Sequence, residues 1–172
     1  MPGKPLIISG SARKNGDTHS YLEMMFKGTT YQLTALLDYR IAAYTYADAY
    51  PEEDDFMKVV MQMIDADTIV MATPVYWYAM SGLMKTFFDR LTDLVTHNKA
   101  LGRQLKNKSV FLLALGSDDE LPQGFEVPFK LTADYFSSLY KGHLYICTKA
   151  HIQQPDSLQL EFLARVQKSV NT

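Results

Sequence analysis

Hydrophobic and polar positions follow two periods that alternate from one end of the chain to the other. Leu6, Ile7 and Ile8 form a short apolar run that stops at Ser9-Gly10-Ser11-Ala12-Arg13, and a helix is predicted from about Thr18 to Lys27. In YQLTALLDY the apolar positions Tyr31, Leu33, Ala35 and Leu37 alternate, as in a half-covered edge strand, and the acidic, tyrosine-rich TYADAYPEEDD follows as a loop. Phe56, Val59, Val60, Met63 and Ile64 then recur at three and four, which predicts a helix packed by one face. TIVMAT is continuously apolar, the mark of a strand covered on both faces, and Leu83, Met84, Phe87, Phe88, Leu91, Leu94 and Val95 mark the next helix. VFLLAL is a further buried strand ending at Gly116-Ser117. Phe129, Ala133, Phe136, Leu139 and Tyr140 suggest the fourth helix, GHLYICT the fifth strand, and Leu158, Phe162, Leu163, Val166 and Val170 the last helix.

Five strands alternating with five helices is the pattern of an α/β protein with a doubly wound parallel sheet and helices on both faces. The order 2-1-3-4-5 puts the two mixed strands at the edges. It also creates a switch point between strands one and three, where a ligand sits beyond their C-terminal ends. The loops there are GSARKNGDT and TPVYWYAMSG, which topology makes neighbours.

The first loop reads as an anion site. A buried strand delivers small polar residues to the positive end of a helix. A P-loop would need Lys followed by Ser or Thr, and a dinucleotide fingerprint would need three glycines spaced G-x-G-x-x-G; neither is present. Ser9, Ser11, Asn15 and Thr18 supply hydroxyl or amide groups and Arg13 a guanidinium, a set suited to a terminal monophosphate. The competing reading is an ordinary connection with Asp17 or Thr18 as N-cap. If the site is real, the Asp17 carboxylate should turn outward or cap the helix. In the second loop Pro74, Val75, Tyr76, Trp77 and Tyr78 follow a buried strand, and three consecutive aromatics there cannot all face inward. A phosphate at one loop and a flat ring at the next, bridged by a sugar-like chain, describes FMN.

Composition adds exclusions. A chain of 172 residues fits one domain, residues 1–172, that buries roughly 70% of its unfolded surface. The net charge of -2 and dispersed basic residues leave no footprint for nucleic acid or an anionic membrane, and no apolar run approaches membrane-span length. MPGKPL lacks the apolar core of a signal peptide, so a cytoplasmic protein is expected. Cys147 lies in an apolar run and reads as a buried thiol, and His19, His97, His143 and His151 lack metal-ligand spacing. No metal site is expected.

At GSARKNGDT followed by TPVYWYAMSGLMKTFFDRL the chain resembles the flavodoxin-like NADPH-dependent FMN reductase family, a likeness that extends through Ala114-Leu115-Gly116-Ser117. The resemblance implies that Ser11, Arg13, Gly16 and Thr18 belong to the phosphate loop; Asp17, between them, is expected to turn its backbone N–H to the ligand. It implies that Pro74 to Tyr78 border the ribityl chain and isoalloxazine, that Ser117 lies near the ring, and that the protein forms a homodimer or homotetramer. Iron-sulfur flavoproteins look similar but carry a cysteine cluster that is missing here. The activity implied is hydride transfer from NADH or NADPH to FMN and on to a small acceptor such as a quinone, flavin, azo or nitro compound. No side-chain acid or base is assigned, because the cofactor carries the chemistry. The alternatives are an FMN-binding electron carrier or redox sensor without efficient nicotinamide turnover, and an interaction domain with an empty site. The acidic loop 46–55 reads as a solvated connection that could act as a lid.

Overall fold

The computed structural model describes residues 3–47, 49–149 and 154–170, so Asp48 of the acidic loop and His151 lie outside the described residues. In chain order the elements are β1 (Leu6–Ser9), α1 (Asp17–Met25), β2 (Gln32–Ala35), α2 (Phe56–Asp65), β3 (Thr68–Tyr76), β4 (Ala79–Met80), α3 (Gly82–Arg90), α4 (Asp93–Thr96), α5 (Lys99–Gly102), β5 (Ser109–Gly116), α6 (Val127–Tyr135), β6 (Leu139–Cys147) and α7 (Ser157–Ser169). The parallel ladder runs β2-β1-β3-β5-β6, the order expected of the five long strands, and β4 adds a sixth strand antiparallel to β3.

Alternation along the strands divides the core into two layers. Ile8, Ile69, Met71, Leu112 and Ala114 face α2, α3 and α6, meeting Phe56, Val60, Met84, Phe87 and Phe129. Ile7, Val70, Ala72, Phe111 and Leu113 face α1 and α7, meeting Leu22, Met25, Phe162 and Val166. Each of the large apolar side chains in these layers contributes roughly 1.5–3 kcal/mol through burial. β1, β3 and β5 are covered on both faces, which is why their sequences read as unbroken apolar runs.

The structure corrects several expectations. β2 ends at Ala35 and continues as a 3₁₀ turn, Leu36–Asp38; its covered side chains are Thr34 and Leu36, while Leu33 and Leu37 face out. The periodicity was right in period and wrong in phase. Leu139 and Tyr140 begin β6 rather than closing α6, because Phe136 caps that helix and Ser137 turns the chain at φ 56°. On α7 Leu158 is exposed and Gln159 is buried instead. Cys147 is half-buried rather than buried. Against β5, β6 slips register between Val110 and Leu112; Gly142 lies nearby at φ 102°, and the Arg165 guanidinium donates to the Lys141 carbonyl.

Candidate active site

Three loops leave the C-terminal ends of β1, β3 and β5 side by side. In the first, the Ser11 hydroxyl donates to the Arg13 carbonyl at 3.0 Å and accepts from the Arg13 N–H at 3.2 Å, closing a tight turn. Gly16 is the N-cap of α1 and no side chain caps the helix, so neither Asp17 nor Thr18 plays the capping role that an ordinary connection would give it. Thr18 is buried and Asp17 is exposed. Arg13 is exposed on the same loop, and Lys14 pairs with Asp38 at 2.5 Å, tying the loop to the end of β2.

The second loop is a two-residue hairpin. β3 runs on through Pro74 and Val75 to Tyr76, and β4 returns alongside with Val75 opposite Met80 and Tyr76 opposite Ala79. Trp77 and Tyr78 form the turn with φ of 50° and 65°, a conformation that normally selects Asn-Gly. None of the three aromatics is buried: Tyr76 is 47% exposed, Trp77 92% and Tyr78 70%. The aromatic run therefore forms a surface rather than a core.

Ser81 joins the two loops. Its hydroxyl donates to the Gly10 carbonyl at 2.6 Å and accepts from the Met84 N–H at 3.2 Å as N-cap of α3, while its own N–H donates to the Thr73 hydroxyl at 3.1 Å. A Cβ on Gly10 would stand 2.8 Å from that Ser81 oxygen, so this contact requires glycine. On the other side Gly116 packs so closely that a Cβ there would lie 2.7 Å from the Tyr145 hydroxyl and 3.2 Å from Val75. That hydroxyl donates to the Asp118 carbonyl at 2.7 Å; burial, reinforced by Cys147 and Asp118, raises its pKa and keeps it a donor. Ser117 itself is exposed, and its carbonyl accepts from the Cys147 thiol at 3.9 Å. Among the described residues no group of three or more His, Cys, Asp or Glu side chains is placed to hold a metal ion.

The first two loops and most of the third fall inside the segment, residues 4–124, that matches the NADPH-dependent FMN reductase family. The chain belongs to this family. It is thus an oxidoreductase that uses FMN and a nicotinamide nucleotide. It is 23% identical over 150 residues to a Bacillus subtilis (strain 168) protein named NAD(P)H-dependent FMN-containing oxidoreductase YwqN, covering 82% of this chain and 83% of that one. In structure it resembles the Trp repressor binding protein from Bacillus subtilis, with TM-score 0.69, 20% identity and coverage of 95% and 96% of the two chains. It also resembles a flavodoxin, WrbA-like protein from Agrobacterium tumefaciens, with TM-score 0.69, 16% identity and coverage of 98% and 97%.

Sequence reasoning did not find two of this reductase's organising residues. Ser81 carried a legible signal, a serine directly before an apolar helical pattern. Arg90 carried none. Buried at the end of α3, it donates to Asp54 through Nη1 at 2.7 Å and Nη2 at 3.1 Å and to Asp93 through Nε at 2.9 Å, with Tyr50 3.4 Å away under its plane. The acidic segment is therefore fastened to the body through Tyr50 and Asp54 rather than being only a solvated connection.

Proposed function

We propose that residues 1–172 act as a single FMN-binding domain that accepts hydride from NADH or NADPH and reduces a small acceptor, a quinone, flavin, azo or nitro compound. The observation that carries this reading is the Ser81–Gly10 contact, which joins the Arg13 loop that leads to the uncapped start of α1 to the residue that follows the exposed aromatic hairpin at the sheet's switch point. The donor set fits FMN. Ser11, Arg13, Gly16, Thr18 and the Asp17 N–H would hold the phosphate, Pro74, Val75, Tyr76, Trp77 and Tyr78 would border the ribityl chain and ring, and Ser117 would lie at the ring edge. When bound, FMN supplies the hydride and electron chemistry.

The chain's part is placement. Backbone N–H groups at the hairpin and the third loop would stabilise charge on the ring, and the Gly10 and Gly116 cradles set how close it can come. No helix among the described residues is long and apolar enough to cross a membrane. The nicotinamide donor pool supports a cytoplasmic location, and the nearly fully exposed Trp77 supports a homodimer or homotetramer joined near the hairpin.

The test compares ligands and donors. Arg13→Ala should weaken FMN by about tenfold or more, the scale of a lost charge-assisted pair, while leaving riboflavin nearly unchanged; equal losses for both would remove Arg13 from the phosphate site. Anaerobic bleaching by NADH or NADPH at a catalytic rate is the expected result for the reductase, and slow bleaching would instead mark an electron carrier. Steady-state rates across acceptors then identify the second substrate.

A further inference from the structure

At the opposite end of the sheet from the three loops, α5 and the following 3₁₀ turn lead into the start of β5 and meet the end of α6. Between them lies a cavity of about 480 Å³. We propose that it is a second ligand site, for a nucleoside phosphate.

Its basic wall is set by spacing. Lys99 and Arg103 lie four residues apart along α5 and the 3₁₀ turn that follows it, Lys106 stands where that turn ends, and all three line the cavity. No carboxylate lines it, and none of the three has an ion-pair partner among the described residues. Other lysines on this chain do: Lys14, Lys58, Lys85 and Lys149 each pair with an aspartate. In a protein of net charge -2, three converging unpaired cations form a local positive field that suits two or three phosphate charges. Arg103 brings the planar fork that matches phosphate oxygens.

The remaining walls suit a ring. Val95 and Phe136 form an apolar side, and the exposed Tyr135 stands with its ring 5.8 Å from that of Phe136, available to stack. The volume falls within the roughly 300–1,000 Å³ usual for small-molecule sites. Beside the cavity the Asn107 N–H donates to the Ser137 carbonyl at 2.9 Å, which ties the chain before β5 to the turn after α6, with both residues in the left-handed region at φ 66° and 56°. A second copy of the chain is a poorer occupant. Lysine is depleted from the cores of protein interfaces, and a two-fold contact here would bring two sets of cations together.

FMN-loaded protein titrated calorimetrically with ATP in low salt without divalent cations should show saturable binding of one ATP per chain and an unchanged flavin spectrum. Arg103→Ala and Lys106→Ala should each weaken it by about tenfold while leaving FMN affinity and the melting midpoint as they were. Tyr135→Leu should weaken ATP but not inorganic triphosphate. The proposal is overturned by absence of saturable binding at ATP concentrations up to about 1 mM, which corresponds to about −4.1 kcal/mol. Binding that survives Arg103→Ala and Lys106→Ala together would also overturn it, as would sedimentation showing a dimer that Arg103→Glu or Tyr135→Leu dissociates.

Discussion

Arg90 joins positions 36 residues apart and places four charged or aromatic groups around one guanidinium. Asp54 takes N–H donation from Ala42 at 2.8 Å and from Phe56 at 3.1 Å as well, so both of its oxygens are satisfied. Arg90→Ala would leave the buried Asp93 and the half-buried Asp54 without their cation, which should cost about 3–5 kcal/mol in denaturant unfolding. Burial alone would raise the Asp54 pKa, but the Arg90 guanidinium and the two N–H groups hold it below the ordinary value of 3.8. A depressed folded-state value means the unfolded chain binds the extra proton first. The stabilisation is therefore complete above 3.8 and is lost as pH falls through the lower folded value. Stability measured from pH 6 downward should drop in that window, and Asp54→Asn should flatten the drop. None of this was legible in the sequence. Acidic residues in a polar segment look solvated until the fold shows which cation lies beneath them.

The hairpin of β3 and β4 departs furthest from its sequence pattern. Pro74 and three aromatics read as a loop, yet β3 continues through Pro74, which pairs in register with Leu115. The strand tolerates proline there because β1 accompanies β3 only as far as Ala72 and β4 pairs with it only at Val75 and Tyr76, so Pro74 falls in the gap between the two ladders. Trp77 and Tyr78 hold positive φ without glycine's freedom, at a cost of order 1–3 kcal/mol each. Replacing the pair by Asn-Gly should raise stability by about 1–2 kcal/mol and weaken FMN, both measurable by thermal melts with and without flavin. A gain in both would show that the aromatics are not held there for the cofactor. Gly10→Ala should act oppositely, separating α3 from the first loop and lowering stability and FMN affinity together. Helix and strand periods and the two loops were plain from the residues, but the contact between those loops was not, because Ser81 and Gly10 meet only after 71 residues of chain have folded.

For the molecule as a whole, topology was the most legible property, since three doubly covered strands and two mixed ones leave few arrangements of a parallel sheet. The three loops converge at one end of that sheet, so cofactor binding at the proposed site would draw on β1, β3 and β5 together and should stabilise the fold globally. FMN at about a hundred times its dissociation constant should add about 2.7 kcal/mol, a rise of roughly 5–10 °C in melting midpoint for a domain of this size. Arg13→Ala should lose most of that rise at the same FMN concentration. The far edge of the sheet has a different consequence. The register slip at Gly142 kinks β6, and Arg165 occupies the Lys141 carbonyl that a foreign strand would use. Both devices blunt that edge against β-addition, so Arg165→Ala should shorten the lag to fibril formation in a thioflavin assay by opening it.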